Sequence, residues 1–108
     1  MNNKLISMLG ICNRAGKIIF GYDRVEKAVL SDTVKLVLTA NDFSAKASEK
    51  LTRICRQKGI SVIKTPYSIN ELYYILSYKA GVLGITDSAF ADKIGQLLQQ
   101  DNKEDFAI

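Results

Sequence analysis

Residues 14–27 read Arg-Ala-Gly-Lys-Ile-Ile-Phe-Gly-Tyr-Asp-Arg-Val-Glu-Lys, a short apolar run between two glycines with four cations around it. We expect Gly16 to end one helix, residues 18–20 to form a buried strand, and Gly21 to open a second helix. A helix N-terminus carries about half a positive charge and unpaired N–H groups, which favour an anion. The cations predicted to hold a phosphate there are Arg14, Lys17, Arg24 and Lys27. The alternative, a tight strand-to-helix turn with solvated charges, stays open at this point.

Helical and strand patterns alternate along the whole chain. Short apolar runs predict strands over residues 18–20, 34–40, 60–64 and 81–86. Between and around these runs, apolar residues at helical spacing predict five helices. The fold class is therefore α/β, a three-layer α/β/α sandwich around a four-stranded mixed or mostly parallel sheet.

Two helix starts and the chain end complete this outline. Ser44 can cap the third helix, and Ser68 with Glu71 matches a capping box that predicts a fourth helix over residues 69–78. We predict a single domain over residues 1–100 and a flexible, charged tail over residues 101–108.

The net charge of +4 is unevenly distributed. Residues 1–64 hold twelve Lys or Arg against five Asp or Glu, whereas residues 65–108 hold three against six. One part of the molecule therefore suits a polyanion, with nucleic acid as the first candidate and an anionic membrane surface as the second. No membrane is expected as a partner, because the apolar residues of the most basic helix look like core contacts. Its exposed stripe of Lys46, Lys50 and Arg53 is interpreted as a solvated face.

The residue types argue against catalysis and against a bound metal. The chain has no histidine and two isolated cysteines, Cys12 and Cys55, which cannot make a four-ligand zinc site. The run from Gly10 to Lys17 has the wrong spacing for a phosphate-binding loop, and Asp42 lacks the acidic neighbours of a phosphoacceptor site. We therefore predict no catalytic residue, no cofactor and no metal. The lack of an export signal and the two cysteines favour the reducing cytoplasm.

Several segments carry a resemblance to a known family. They are Met8-Leu9-Gly10-Ile11-Cys12-Asn13-Arg14-Ala15-Gly16-Lys17-Ile18-Ile19-Phe20-Gly21, Lys27-Ala28-Val29, Val34-Lys35-Leu36-Val37-Leu38-Thr39-Ala40-Asn41-Asp42 and Gly84-Ile85-Thr86-Asp87. In this respect the chain resembles the bacterial YlxQ-like branch of the ribosomal protein L7Ae superfamily over residues 4 to about 98. The resemblance implies a single α/β/α sandwich that binds RNA, typically kink-turns. It places the contacts at the end of the first strand, the start of the second helix and the loop before the last strand.

Carried over residue by residue, the resemblance implies two groups of contacts. The primary site is Lys17, Gly21, Tyr22, Asp23, Arg24 and Lys27, and the loop before the last strand supplies Tyr78, Lys79 and Ala80. The kink-turn binders usually have Gly-Thr-Asn-Glu at the helix start, where this chain has Gly-Tyr-Asp-Arg. An asparagine and a glutamate that would read base edges are thus replaced by an anion and a cation.

The expected function is that of a small non-catalytic RNA-binding protein, associated with the ribosome or another ribonucleoprotein. Its expected partners are a structured RNA, such as rRNA or an mRNA leader, and proteins of transcription or translation, with the protein itself a monomer. The alternative is a protein-interaction adaptor on the same fold that has lost its RNA contacts. Four cations at one helix start favour RNA, whereas Asp23 and Glu26 in the same helix favour the adaptor.

Overall fold

The computed structural model describes the backbone of residues 3–106 and the side chains of residues 4–99. Its elements in chain order are α1 (Asn3–Arg14), β1 (Ile18–Phe20), α2 (Tyr22–Leu30), β2 (Leu36–Thr39), α3 (Ala45–Gln57), β3 (Val62–Lys64), α4 (Ile69–Leu76), β4 (Val82–Ile85) and α5 (Ser88–Phe106). The five helices and four strands agree with the predicted alternation, and α2 begins directly after Gly21, as predicted.

The four strands form one sheet in the order β1-β4-β2-β3. β2 pairs with β3 in parallel, whereas β4 is antiparallel to both of its neighbours. The mixed sheet is confirmed and the mostly parallel alternative is wrong, because β4 begins at the end of the sheet where β3 finishes and therefore runs in the opposite direction to the other three strands. We call the end of the sheet where β1, β2 and β3 finish and β4 begins the upper edge.

Helices cover both faces of the sheet, as a three-layer sandwich requires. The first core lies between the sheet and α1, α4 and α5, and includes Leu5, Leu9, Cys12, Leu38, Leu72, Leu83 and Ile94. The second lies between the sheet and α2 and α3, and includes Val25, Val29, Val37, Leu51, Cys55 and Val82. Successive residues of β2 and β4 alternate between the two cores, so every residue of these central strands is buried.

Local signals set most of the helix ends. The Ser44 side chain accepts a hydrogen bond from the Ala47 N–H, and Ser68 with Glu71 forms the predicted capping box. α4 ends at Leu76 rather than at the predicted residue 78, because Ser77 adopts a left-handed conformation with φ of 62°.

The predicted boundary at residue 100 is not marked by a helix end. α5 is helical to Phe106, whereas the sequence predicts a tail from residue 101, and the flexibility of residues 101–108 stays a prediction. Within the described part of the chain, no helix has both the length and the apolar character needed to span a membrane.

Candidate functional site

The N-terminus of α2 lies at the upper edge and is open. Gly21 precedes the helix with φ of 97° and ψ of 146°, in a region that residues with a Cβ rarely adopt, and its N–H donates to the Val82 carbonyl at 3.0 Å. The first intrahelical bond runs from the Val25 N–H to the Gly21 carbonyl at 3.0 Å, and no side chain caps the helix. The N–H groups of residues 22–24 therefore have no intrahelical acceptor, and they form a site that favours an anion.

One cation, Arg24, and one carboxylate, Asp23, lie in the first turn of α2, and a second cation, Lys27, lies one turn further along the helix. Asp23, Arg24 and Lys27 are all exposed, and Arg24 and Lys27 lie three residues apart on one face of α2. In the described part of the structure, the ion pair within 4.0 Å is that of Lys58 with Asp32. Arg24 and Lys27 are thus free of carboxylate partners there and available to an anionic ligand.

Aromatic rings flank the helix start on both faces of the sheet. On one face the rings of Phe20 and Tyr78 stack with centroids 4.5 Å apart, and on the other those of Tyr22 and Phe43 lie 6.4 Å apart. Tyr78 is 46% exposed, so its ring is accessible beside the end of β1. Phe43, in the segment after β2, and Tyr78, in the segment after α4, therefore contact the residues on either side of Gly21. Exposed rings of this kind are surfaces on which bases can stack.

The structure brings together most of the residues that the sequence predicts for the site. Gly21, Tyr22, Asp23 and Arg24 form the start of α2, and Tyr78 reaches them through Phe20. Lys79, in the same loop, is exposed, whereas Ala80 is only 9% exposed, so any contact it makes would come from its backbone.

Arg14 and Lys17 are not brought to the start of α2. The Lys17 carbonyl accepts a hydrogen bond from the Thr86 N–H at 3.0 Å, which places Lys17 at the lower end of β1. The backbone positions of Lys17 and Gly21 are therefore about 13 Å apart, at about 3.3 Å per strand residue. Arg14 belongs to α1, on the opposite face of the sheet from α2, and its guanidinium folds back beside Gly10. The four cations do not converge on one anion.

Sequence reasoning missed Phe43 as part of the site. Its ring contacts Tyr22, and it also lies so close to Gly81 that a Cβ at residue 81 would come within 2.5 Å of the ring. The only local signal was an aromatic residue in a short polar loop after a buried strand. Its neighbours are distant in sequence, so no spacing rule could have identified it.

The buried face of α2 holds one perturbed group. The hydroxyl of Tyr22 and a carboxylate oxygen of Glu26 are both buried. Burial raises the pKa of the Tyr22 hydroxyl, and the negative charge of Glu26 raises it further. Tyr22 is therefore neutral at physiological pH, and its hydroxyl is directed into the protein rather than toward a ligand.

The two thiols lie in different cores, Cys12 with α1 and Cys55 with α3, and both are free. Burial, helped by the charge of Asp87, raises the pKa of the Cys12 thiol from 9.0 to about 11, and burial also raises the pKa of Cys55. Because the thiolate is the nucleophilic form, neither residue suits nucleophilic chemistry at neutral pH. Among the residues that the structure describes, no group of three or more His, Cys, Asp or Glu is placed to bind a metal ion.

The raised thiol pKa predicts a loss of stability in alkaline solution. A pKa that is higher in the folded state gives stability that is complete below the unfolded pKa of 9.0 and is lost as pH rises through about 11. We expect the free energy of unfolding to fall over this interval, and to fall less steeply in Cys12→Ala, as measured by urea denaturation at several pH values. Parallel curves for the two proteins would contradict the assignment, whereas the cavity left by the substitution lowers the free energy of unfolding equally at every pH.

Comparison with known proteins gives a consistent result. A family model described as "Ribosomal protein L7Ae/L30e/S12e/Gadd45 family" matches residues 3–93. The chain is 34% identical over 96 residues to the "RNA-binding protein YlxQ" of Bacillus subtilis (strain 168), covering 84% of this chain and 91% of that protein. It is 26% identical over 96 residues to the protein of the same name from Enterococcus faecium, covering 89% and 92%.

Two solved structures share the fold. A protein with unknown function from Bacillus halodurans C superposes with a TM-score of 0.85 at 27% identity, covering 91% of this chain and 99% of that one. The Giardia lamblia 15.5kD RNA binding protein superposes with a TM-score of 0.70, covering 93% and 89% of the two chains. At 18% identity the second likeness concerns the fold alone.

Proposed function

Because this chain belongs to the ribosomal protein L7Ae/L30e/S12e/Gadd45 family, we propose that it is a non-catalytic RNA-binding protein. Relatives named as RNA-binding proteins, one of them 34% identical, support this function. The ligand is a structured RNA, and its sugar-phosphate backbone meets the protein at the upper edge of the sheet.

The observation that carries the proposal is the open N-terminus of α2. Free N–H groups, the helix dipole and Arg24 favour a phosphate at one place, and Lys27 lies one turn further along the same face of α2. The stacked rings of Phe20 and Tyr78 lie at the end of β1, which leads into this helix start. A nucleotide has both a phosphate and a base that can stack on an exposed aromatic ring, whereas a free anion or a lipid headgroup has no base.

The finer proposal is that the RNA contains a kink-turn and that the protein acts in the cytoplasm, as a monomer, on rRNA or an mRNA leader. Its protein partners would then be proteins of the ribosome or of transcription or translation.

Fluorescence anisotropy against a kink-turn, a plain duplex and a single strand of equal length tests the preference for a kink-turn. We expect the kink-turn to bind most tightly, and equal affinities for all three would overturn the kink-turn preference while leaving RNA binding in place.

Substitution of Asp23 is expected to raise the affinity for RNA. Its carboxylate is exposed in the first turn of α2, where it can only accept hydrogen bonds and repels an incoming phosphate. It also interacts favourably with the helix dipole, which is worth about 0.3–1 kcal/mol. We therefore expect Asp23→Asn to bind kink-turn RNA more tightly, with a melting temperature that is equal or slightly lower. Both quantities are measured on one preparation. Unchanged binding would show that Asp23 faces away from the RNA, and weaker binding would show that its carboxylate takes part in a recognition mode that the family resemblance does not describe.

A second candidate function is that of a protein-interaction adaptor. A groove of about 700 Å³ between α1 and α4 is lined mainly by apolar groups, and Ile11 and Tyr74 on it are 44% and 91% exposed. Exposed apolar surface of this kind often marks a protein interface. The groove lies on the opposite face of the sheet from α2, so RNA and a protein could bind together. Tyr74→Ser should then abolish binding of a protein partner and leave RNA affinity unchanged.

A further inference from the structure

A second groove, of about 740 Å³, lies between α3 and the edge strand β3 and is open to solvent along one side. We call it the α3–β3 groove. The residues that line it include Phe43, Ser48, Thr52, Arg53, Arg56 and Lys64. β3 is the edge strand of the sheet, and its residues Val62 and Lys64 form one wall of the groove.

The lining of this groove is cationic. Arg53, Arg56 and Lys64 face a single carboxylate, that of Glu49, and the three cations are exposed. None of them forms an ion pair within 4.0 Å with a described residue. Unpaired cations in a concave wall give a local positive potential, which attracts a polyanion more strongly than a flat solvated face does. The sequence-based interpretation of Arg53 as part of a solvated face therefore leaves this arrangement unexplained.

One aromatic contact links the α3–β3 groove to the start of α2. Phe43 lines the groove and stacks against Tyr22, the first residue of α2. Arg53 is close enough to the Tyr22 hydroxyl for its positive charge to oppose the rise in the pKa of that group. The two places where phosphates would bind are thus separated by one pair of aromatic rings.

We propose that the α3–β3 groove binds the sugar-phosphate backbone of a second segment of the same RNA that the start of α2 holds. This inference rests on the proposed function and extends it. Arg53, Arg56 and Lys64 would contact phosphates, and the Ser48 hydroxyl can hydrogen-bond phosphate or ribose oxygens. The Thr52 hydroxyl already donates to the Ser48 carbonyl at 2.7 Å, so it can accept from a ribose hydroxyl but not donate to a phosphate. These contacts carry no base specificity, so the groove sets affinity and the orientation of the flanking arm of the RNA rather than its sequence.

The test compares two double variants of the protein, each of which loses two positive charges at a different place on the surface. The groove variant carries Arg53→Gln and Arg56→Gln, which keep polar, flexible side chains at exposed positions. The matched control carries Lys35→Gln and Lys93→Gln. Lys35 and Lys93 are also exposed, neither lines the groove, and the Lys35 N–H bonds to the Ile85 carbonyl at the lower end of the sheet. Circular dichroism melts establish that both variants fold.

Each protein is titrated by anisotropy with the tightest-binding RNA of the panel and with versions of it in which one helical arm is shortened stepwise. With the full-length RNA we expect the groove variant to bind about tenfold more weakly, and its log–log salt slope to fall by roughly 0.7–0.9 for each lost phosphate contact. The control should stay within about twofold of the natural protein, since distant exposed charges are screened. With the shortest arm, the groove variant and the natural protein should bind equally.

The outcomes separate this inference from the proposed function. If Arg24 and Lys27 matter for binding but the groove variant matches the control on every RNA, the groove does not bind RNA and the inference fails alone. If the groove variant is weakened equally on long and short RNAs, the groove does not hold a flanking arm and the inference also fails. A natural protein that binds none of the RNAs overturns both proposals, and an acidic protein would become the candidate for the groove.

Discussion

Replacing Arg24 and Lys27 together by alanine should weaken RNA binding by at least about tenfold and flatten its dependence on salt, by roughly 0.7–0.9 in log–log slope for each lost phosphate contact. Arg24 lies in the first turn of α2 beside free backbone N–H groups, Lys27 lies one turn further along the same exposed face, and neither pairs with a carboxylate of a described residue. Alanine is a strong helix former, so α2 itself should not be destabilised. The measurement is an anisotropy titration at several salt concentrations.

The control for this experiment removes two charges elsewhere. Lys35→Ala with Lys93→Ala changes the net charge equally at exposed positions away from the upper edge, and it should leave affinity and slope almost unchanged. If both double variants lose the same affinity, RNA binding depends on net charge alone. If the Arg24 and Lys27 variant keeps its full slope, the phosphate contacts lie elsewhere, and the α3–β3 groove is the first place to look.

Gly81→Ala should lower the stability of the protein and disturb the site at the same time. A Cβ at residue 81 would approach within 2.5 Å of the Phe43 ring, which must move, and Phe43 in turn supports Tyr22. Overpacking of this kind costs about 1–3 kcal/mol. A loss of 1 kcal/mol lowers the melting temperature of a domain of this size by about 4–8 °C. We expect both a lower melting temperature and weaker RNA binding, as measured by circular dichroism and anisotropy on the same sample.

Two further variants isolate the steric cause. Gly95→Ala is the matched control, because a Cβ there meets no atom within 4 Å and the glycine lies inside α5. It should be neutral or stabilising by about 0.5–1 kcal/mol. Combining Gly81→Ala with Phe43→Leu should cost less than the sum of the two single changes, because the smaller side chain leaves room for the new methyl group. If the losses in free energy of unfolding of the two single variants simply add up in the double variant, the Phe43 ring is not the group that clashes with the new Cβ at residue 81.

Where the sequence predicted structure well, the cause was local. The start of α2 at residue 22 follows from Gly21 and the polar first turn, and the start of α4 follows from Ser68 and Glu71. The apolar runs over residues 34–40 and 81–86 predicted strands, and β2 and β4 form there with every residue buried. The family resemblance of residues 4–98 agrees with the matched range of 3–93.

The predicted site depended on where distant segments meet, and there the sequence was less informative. Arg14, Lys17, Arg24 and Lys27 are close in sequence, yet β1 separates them along the sheet, and the sheet itself lies between α1 and α2. Conversely, Phe43 and Gly81 are 38 residues apart and are in contact. Ala80 lies in the predicted loop, but tertiary packing buries its side chain.

The sequence by itself determined the elements, the cationic start of α2 and the family of this protein, because hydrogen-bonding caps, glycine conformations and hydrophobic periodicity act within a few residues along the chain. Only the tertiary structure decided the direction of β4, which cations share an edge, and the existence of the α3–β3 groove. These features depend on how helices pack on the two faces of a sheet, and packing of this kind depends on side-chain shapes that are brought together from separate parts of the chain.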